Sequence, residues 1–80
     1  MVPAGVNAMR SIWVIYRNPT DFPAIPYVMR EHVLENGSVI PTSHFESGNT
    51  LGEVRMFIPD DAVRMPRSQG DEPQIVEWWV

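Results

Sequence analysis

Two short stretches constrain this chain most: "SIWVIYR" at 11–17 and "QIVEWWV" at 74–80. Both are rich in β-branched and aromatic residues, the composition of strands. In a strand, successive side chains point to opposite faces. Ile12, Val14 and Tyr16 then face one side, and Trp13 and Ile15 the other. An opening strand that is apolar on both faces belongs in the middle of a sheet covered on both sides. In the closing stretch Trp78 and Trp79 point opposite ways, so two adjacent indoles cannot enter one core.

The chain between them reads as alternating turn and strand signals, then one helix. "NPTDFPAIP" (18–26) holds three prolines in nine residues, a rigid irregular loop. "YVMREHVL" (27–34) reads as a second strand. Asn36-Gly37 follows, the strongest short hairpin signal. "VIPTSHFES" (39–47) returns as a third strand, which Pro41 demotes to an edge or bulged one. At "GNTLGEVRMFI" the period changes: Leu51, Val54, Phe57 and Ile58 lie at helical spacing, Thr50 and Glu53 fit a capping box, and Pro59 stops the helix. The spacing predicts one helix of two to three turns. The stretch 59–73 is connector, with a brief extended segment at 62–65, and the last strand runs 74–80. The expected fold is a small α+β domain over 11–80, an antiparallel sheet of about four strands with one short helix in the order β-β-β-α-β. Residues 1–10, "MVPAGVNAMR", read as a loose arm without the charged leader and apolar run of a signal peptide, and Met9 is a second candidate start.

An 80-residue chain has room for one modest core. Its surplus of apolar strand surface therefore matters. Placing Val76, Trp78 and Val80 under the helix leaves Trp79 on the opposite face, beside Trp13 and Ile15 if the last strand pairs with the first. Exchanging the faces exchanges Trp78 for Trp79. Either way one indole lacks a lid. Each such side chain has on the order of 150–250 Å² to cover, and contiguous exposed aromatics mark an interaction surface. Trp13, Ile15 and Trp79 are thus expected to form an apolar face for a homodimer, which buries one patch twice, or for another partner. The competing reading folds the proline loop and the arm over that face.

The net charge is −4, and all six basic residues are Arg. An acidic chain disfavours direct contact with nucleic acid and suits a basic partner. No apolar run reaches membrane-spanning length. Absence of Cys removes disulfides and thiolate ligands. His32 and His44 fall on neighbouring strands with Glu31 and Glu46 in reach, but no tight metal-binding spacing accompanies them. No nucleophile elbow or Gly-rich anion loop is present, and Asp60-Asp61 and Asp71-Glu72 sit in surface turns. The residues therefore point to a non-enzymatic protein without a cofactor or metal. The sharper use of the carboxylates is an acidic patch of Asp60, Asp61, Asp71 and Glu72 that occupies Arg and Lys sites which normally hold phosphates. Ion pairing with Arg55, Arg64 and Arg67 is the simpler one.

"IWVIYRNPTDFP" and "RMPRSQGDEPQIVEWWV" together resemble a group of small proteobacterial and phage proteins. That group has a Trp-Val-x-Tyr strand, an Asp-x-Pro loop, a helix ending at Ile-Pro, an Arg-x-Pro-Arg stretch and a final Ile-Val-Glu-x-Trp strand. The resemblance spans Met9 to Val80. Among phage-associated proteins of this size, the chain also looks like an anti-CRISPR protein acting on a type I-C system. That likeness implies an inhibitor in the bacterial host cytoplasm that binds a Cas protein or the crRNA-guided surveillance complex and blocks target DNA recognition or cleavage. The alternative is an accessory protein-interaction domain of a phage or mobile element with no Cas partner.

Overall fold

The computed structural model describes residues 10–68 and 70–80. The elements are β1 (Arg10–Arg17), β2 (Tyr27–Glu35), β3 (Ser38–Gly48), α1 (Leu51–Arg55), β4 (Arg64–Met65) and β5 (Ile75–Trp79). They form one five-stranded sheet in the order β3-β2-β1-β5-β4, with every pairing antiparallel. β1 is central, as its two apolar faces require. The expected arm lies outside the described residues except for Arg10, which opens β1. The fifth strand is the short extended segment in the connector, which pairs with the end of β5 through Arg64↔Trp79 and Met65↔Trp78.

Local sequence accounts for the joints. Asn36 and Gly37 both take positive φ, 52° and 81°, and close β2 onto β3 at Glu35↔Ser38. The register of that hairpin slips between Arg30↔Phe45 and His32↔Pro41, next to Pro41, which lacks a ladder donor. Thr50 caps α1: its hydroxyl accepts from the Glu53 amide at 3.2 Å and donates to the Glu53 carboxylate at 3.0 Å. The α-helical span is five residues, shorter than the apolar spacing suggested, because single turns carry the chain from Met56 to Pro59. Gly48 admits the helix against the end of β3, since a Cβ there would lie 2.9 Å from Glu53 Cβ and 3.1 Å from Val54 Cγ1.

The sheet buries a cluster on each face. Under α1 lie Ile15 and Met29 with the helix-side Val54 and Ile58, flanked by Trp13, Leu51 and Trp79. On the opposite face lie Ile12, Val14 and Ile75, flanked by Tyr16, Leu34 and Trp78. Among the described residues no helix is long and apolar enough to cross a membrane.

Candidate interaction surface

The face expected to be open is the one that α1 covers. Ile15 is 0% exposed beneath the helix, and Trp13 and Trp79 pair across β1 and β5 and pack against the same cluster. Glu77 lies on this same face. Glu77 is 2% exposed, and Arg55 at the end of α1 reaches down to it with Nε to Oε2 at 2.9 Å and Nη2 to Oε1 at 2.6 Å. The Trp79 indole donates to the same Oε2 at 2.5 Å. Burial pushes the Glu77 pKa up, but the hydrogen bonds from Arg55 and Trp79 and the charges of Arg55 and Arg64 outweigh it and hold the carboxyl below its usual range. Sequence spacing placed Glu77 on a sheet face without identifying this partner, which arrives from 22 residues away.

Loops of the chain itself close over the other face. The Trp78 indole donates to Asp71 Oδ2 at 2.8 Å, and Arg67 donates to the carbonyls of Ile75, Asp71 and Glu72 at 3.0–3.2 Å, fastening the connector beside β5. The proline loop comes in from the β2–β3 side. Phe22 stacks on Phe45 with centroids 5.9 Å apart, and Asp21 pairs with Arg30. The Arg30 guanidinium stands within 6.0 Å of the Tyr16, Phe22 and Phe45 rings. All three tryptophans are therefore half-buried by their own chain, which overturns the expectation of an indole without a lid.

The four candidate carboxylates do not form one patch. Asp61 borders a depression with Arg10, Ser11 and Trp13 at the start of β1, whereas Glu72 borders one with Tyr16 and Gln74 at its far end. Asp71 is committed to the fold. It accepts from the Ser68 amide at 2.8 Å and from Trp78, and these bonds lower its pKa. Asp60 and Asp61 stay together in the turn after α1.

The histidines do not meet. His44 lies on the face of Glu31, with Nδ1 2.8 Å from Glu31 and Nε2 3.1 Å from Glu46. His32 pairs with Ile12 on the other face, where burial and then Arg30 lower its pKa against the pull of Glu31. The two carboxylates beside His44 flank different ring nitrogens rather than converging on one point. Among the described residues no group of three or more His, Asp or Glu is arranged to hold a metal ion.

What remains outward is apolar and lies elsewhere. Met56 is 83% exposed, Val63 60% and Phe57 47%, with Met65, Val39, Ile40 and Phe45 also exposed. Sequence periodicity placed Phe57 on the buried stripe of the helix; the helix ends at Arg55, and the following turns rotate Phe57 outward while keeping Ile58 inside. No family model, curated protein or solved structure matches this chain.

Proposed function

We propose that this protein acts by binding another protein, as an inhibitor of a type I-C crRNA-guided surveillance complex in the bacterial cytoplasm. The observation that carries the binding role is the set of large apolar side chains left outward at the end of α1 and along β4, on a chain of net charge −4. Burying such side chains stabilises an interface at ~25 cal/mol per Å², and the negative charge favours a partner surface built to hold phosphate. The target class rests on the resemblance of the opening and closing stretches. The test is to add the purified chain to a reconstituted type I-C complex and follow binding and cleavage of target duplex. Loss of either in proportion to added chain is expected. Full target binding and cleavage at saturating chain overturns the inhibitor role.

One observation favours a second reading, an accessory protein-interaction domain without a Cas partner. The motif residues behind the resemblance are occupied by the fold: Arg67 by three carbonyls, and Glu77 and Trp79 by each other and Arg55. A shared pattern of this kind reports a shared architecture. Absence of any complex between the chain and the purified type I-C subunits would select this reading.

A further inference from the structure

We propose that the depression where β1 ends beside the start of β5 binds a small organic anion, a carboxylate or phosphate carried on an apolar body, held between Arg17 and Arg67. The inference goes beyond the protein-binding reading above and does not depend on it.

The fold brings the two arginines together. The Arg17 amide donates to Gln74 O at 2.7 Å, and Arg67 Nε donates to Ile75 O at 3.0 Å, so both are fastened to successive carbonyls of one segment. They border a single depression of about 420 Å³, lined otherwise by Pro73, Ile75 and Val76. That volume suits a small ligand, and the three apolar residues suit a ligand with an apolar body. The pairing of β1 with β5 steps here from Ile15↔Glu77 to Tyr16↔Ile75, which leaves Val76 without an opposite residue. Such a bulge bends the strand and re-aims its side chains.

Both guanidinium groups are held in place with donors to spare. Arg67 uses Nε and Nη2 on the carbonyls of Ile75, Asp71 and Glu72, and its Nη1 makes no hydrogen bond among the described residues. Arg17 lies over the Tyr27 ring, 5.7 Å from its centroid, with Nη2 3.5 Å from the Tyr27 hydroxyl. Groups already ordered lose less freedom on binding. A guanidinium edge matches the paired oxygens of a carboxylate or phosphate.

The chain supplies no counter-charge at this place. Neither Arg17 nor Arg67 has a carboxylate within 4.0 Å among the described residues, and residues 1–9 and 69 contain no Asp or Glu. No acidic residue lines the depression. Asp71 and Glu72 are the acidic neighbours of Arg67. The Asp71 carboxylate feels the charge of Arg67 but is turned to the Ser68 amide and the Trp78 indole, and Glu72 borders the separate depression that holds Arg30. That depression also contains Asp21, and the one that holds Arg10 contains Asp61. Two like charges at one hollow repel, and an anion between them removes that cost. The net charge of −4 opposes a polyanion such as nucleic acid. A single small anion responds mainly to charges within a screening length of about 8 Å.

The experiment titrates phenyl phosphate, benzoate and neutral benzyl alcohol into the labelled full chain, followed by NMR. Shifts are expected at Arg17, Arg67 and the amides of 74–76 with at least one of the two anions, with a dissociation constant on the order of a millimolar. The tighter of the two tells phosphate from carboxylate. Affinity should fall as salt rises. Arg17→Gln, its fold checked by far-UV dichroism and thermal melting, should weaken binding about fivefold or more. The wild-type titrations decide the matter even if that variant melts early. Equal shifts with benzyl alcohol, shifts elsewhere, or none with either anion overturn the site. Unchanged affinity in a folded Arg17→Gln chain does the same. A single-stranded DNA oligonucleotide that binds these positions more tightly than either small anion overturns the assignment of the ligand.

Discussion

Glu77 shows how one residue ties the two layers of this molecule together. A carboxylate at 2% exposure is costly unless its charge and lone pairs are answered. Here the answer comes from α1, β5 and β4 at once, through Arg55, Trp79 and Arg64. Because the folded pKa lies below the ordinary 4.5, its contribution is fully present above that value and is lost as pH falls through the folded one. Glu77→Gln is expected to lower stability at neutral pH by about 2 kcal/mol, less than for a fully buried pair because the half-exposed Arg55 regains water. The deficit should shrink as pH falls below 4.5 and through the folded pKa of Glu77, where the wild-type carboxyl takes up its proton. Urea midpoints of both proteins across that range provide the check. An equal deficit at both ends would mean that packing, not charge, is what Glu77 supplies. At the same scale, Asp71→Asn should weaken the Trp78 and Ser68 bonds and shift indole emission to the red.

At the scale of elements, the β2–β3 hairpin is both legible in the sequence and irregular in its pairing. Asn36-Gly37 and Pro41 are signals that a single sequence displays, and the structure puts a tight turn at one and a register slip at the other. The side chains that span the slip are another matter. Thr42 Oγ1 donates to Glu31 O at 2.7 Å and accepts from the His44 amide at 3.1 Å, and the His44 ring lies between Glu31 and Glu46. Ser11 on β1 donates to the other Glu31 oxygen at 2.5 Å. Which residues meet depends on the slip, and a one-residue change in the register of β3 would turn Thr42, His44 and Glu46 to the face opposite Glu31. The hydrogen bonds that the His44 ring donates to Glu31 and Glu46 raise its pKa above 6.5, so this contact stabilises the fold fully below that value and is lost as pH rises through the folded one. An NMR titration should find His44 above 6.5 and His32 below it. Glu31→Gln with Glu46→Gln should bring His44 back toward 6.5 and leave His32 in place; His44 titrating at or below His32 would show that the clamp does not form in solution. The slip and Pro41 also blunt the outer edge of β3 against strand addition.

For the whole molecule, the question is how a chain of 80 residues with a five-residue helix covers a sheet that is apolar on both faces. The helix takes one face and two fastened loops close on the other, so the tryptophans serve the fold. Trp79→Ala should therefore cost about 2–3 kcal/mol in urea unfolding while the sedimentation coefficient stays the same. A change in sedimentation with no loss of stability would restore Trp79 to an interface between copies. Four of the five strands, the central place of β1, the edge or bulged character of β3, the hairpin turn and the helix cap are legible in the sequence, because β-branched alternation, Asn-Gly, Pro41 and a Thr-x-x-Glu cap act over a few neighbouring residues; β4 reads there only as a brief extended segment, and the structure makes it a fifth, edge strand. Strand alternation also limits the faces to two arrangements, one with Trp78 under the helix and one with Trp79. Only the tertiary structure shows which is taken: Trp79 lies under the helix, where Val54 and Ile58 pack on Ile15 and Met29 and Arg55 meets Glu77, 22 residues away. It alone, too, disperses the acidic residues of the connector and leaves Met56 and Phe57 outside. Those outcomes depend on where a short helix stops and which loops have room to fold back, and such choices are made by packing between segments distant in the chain.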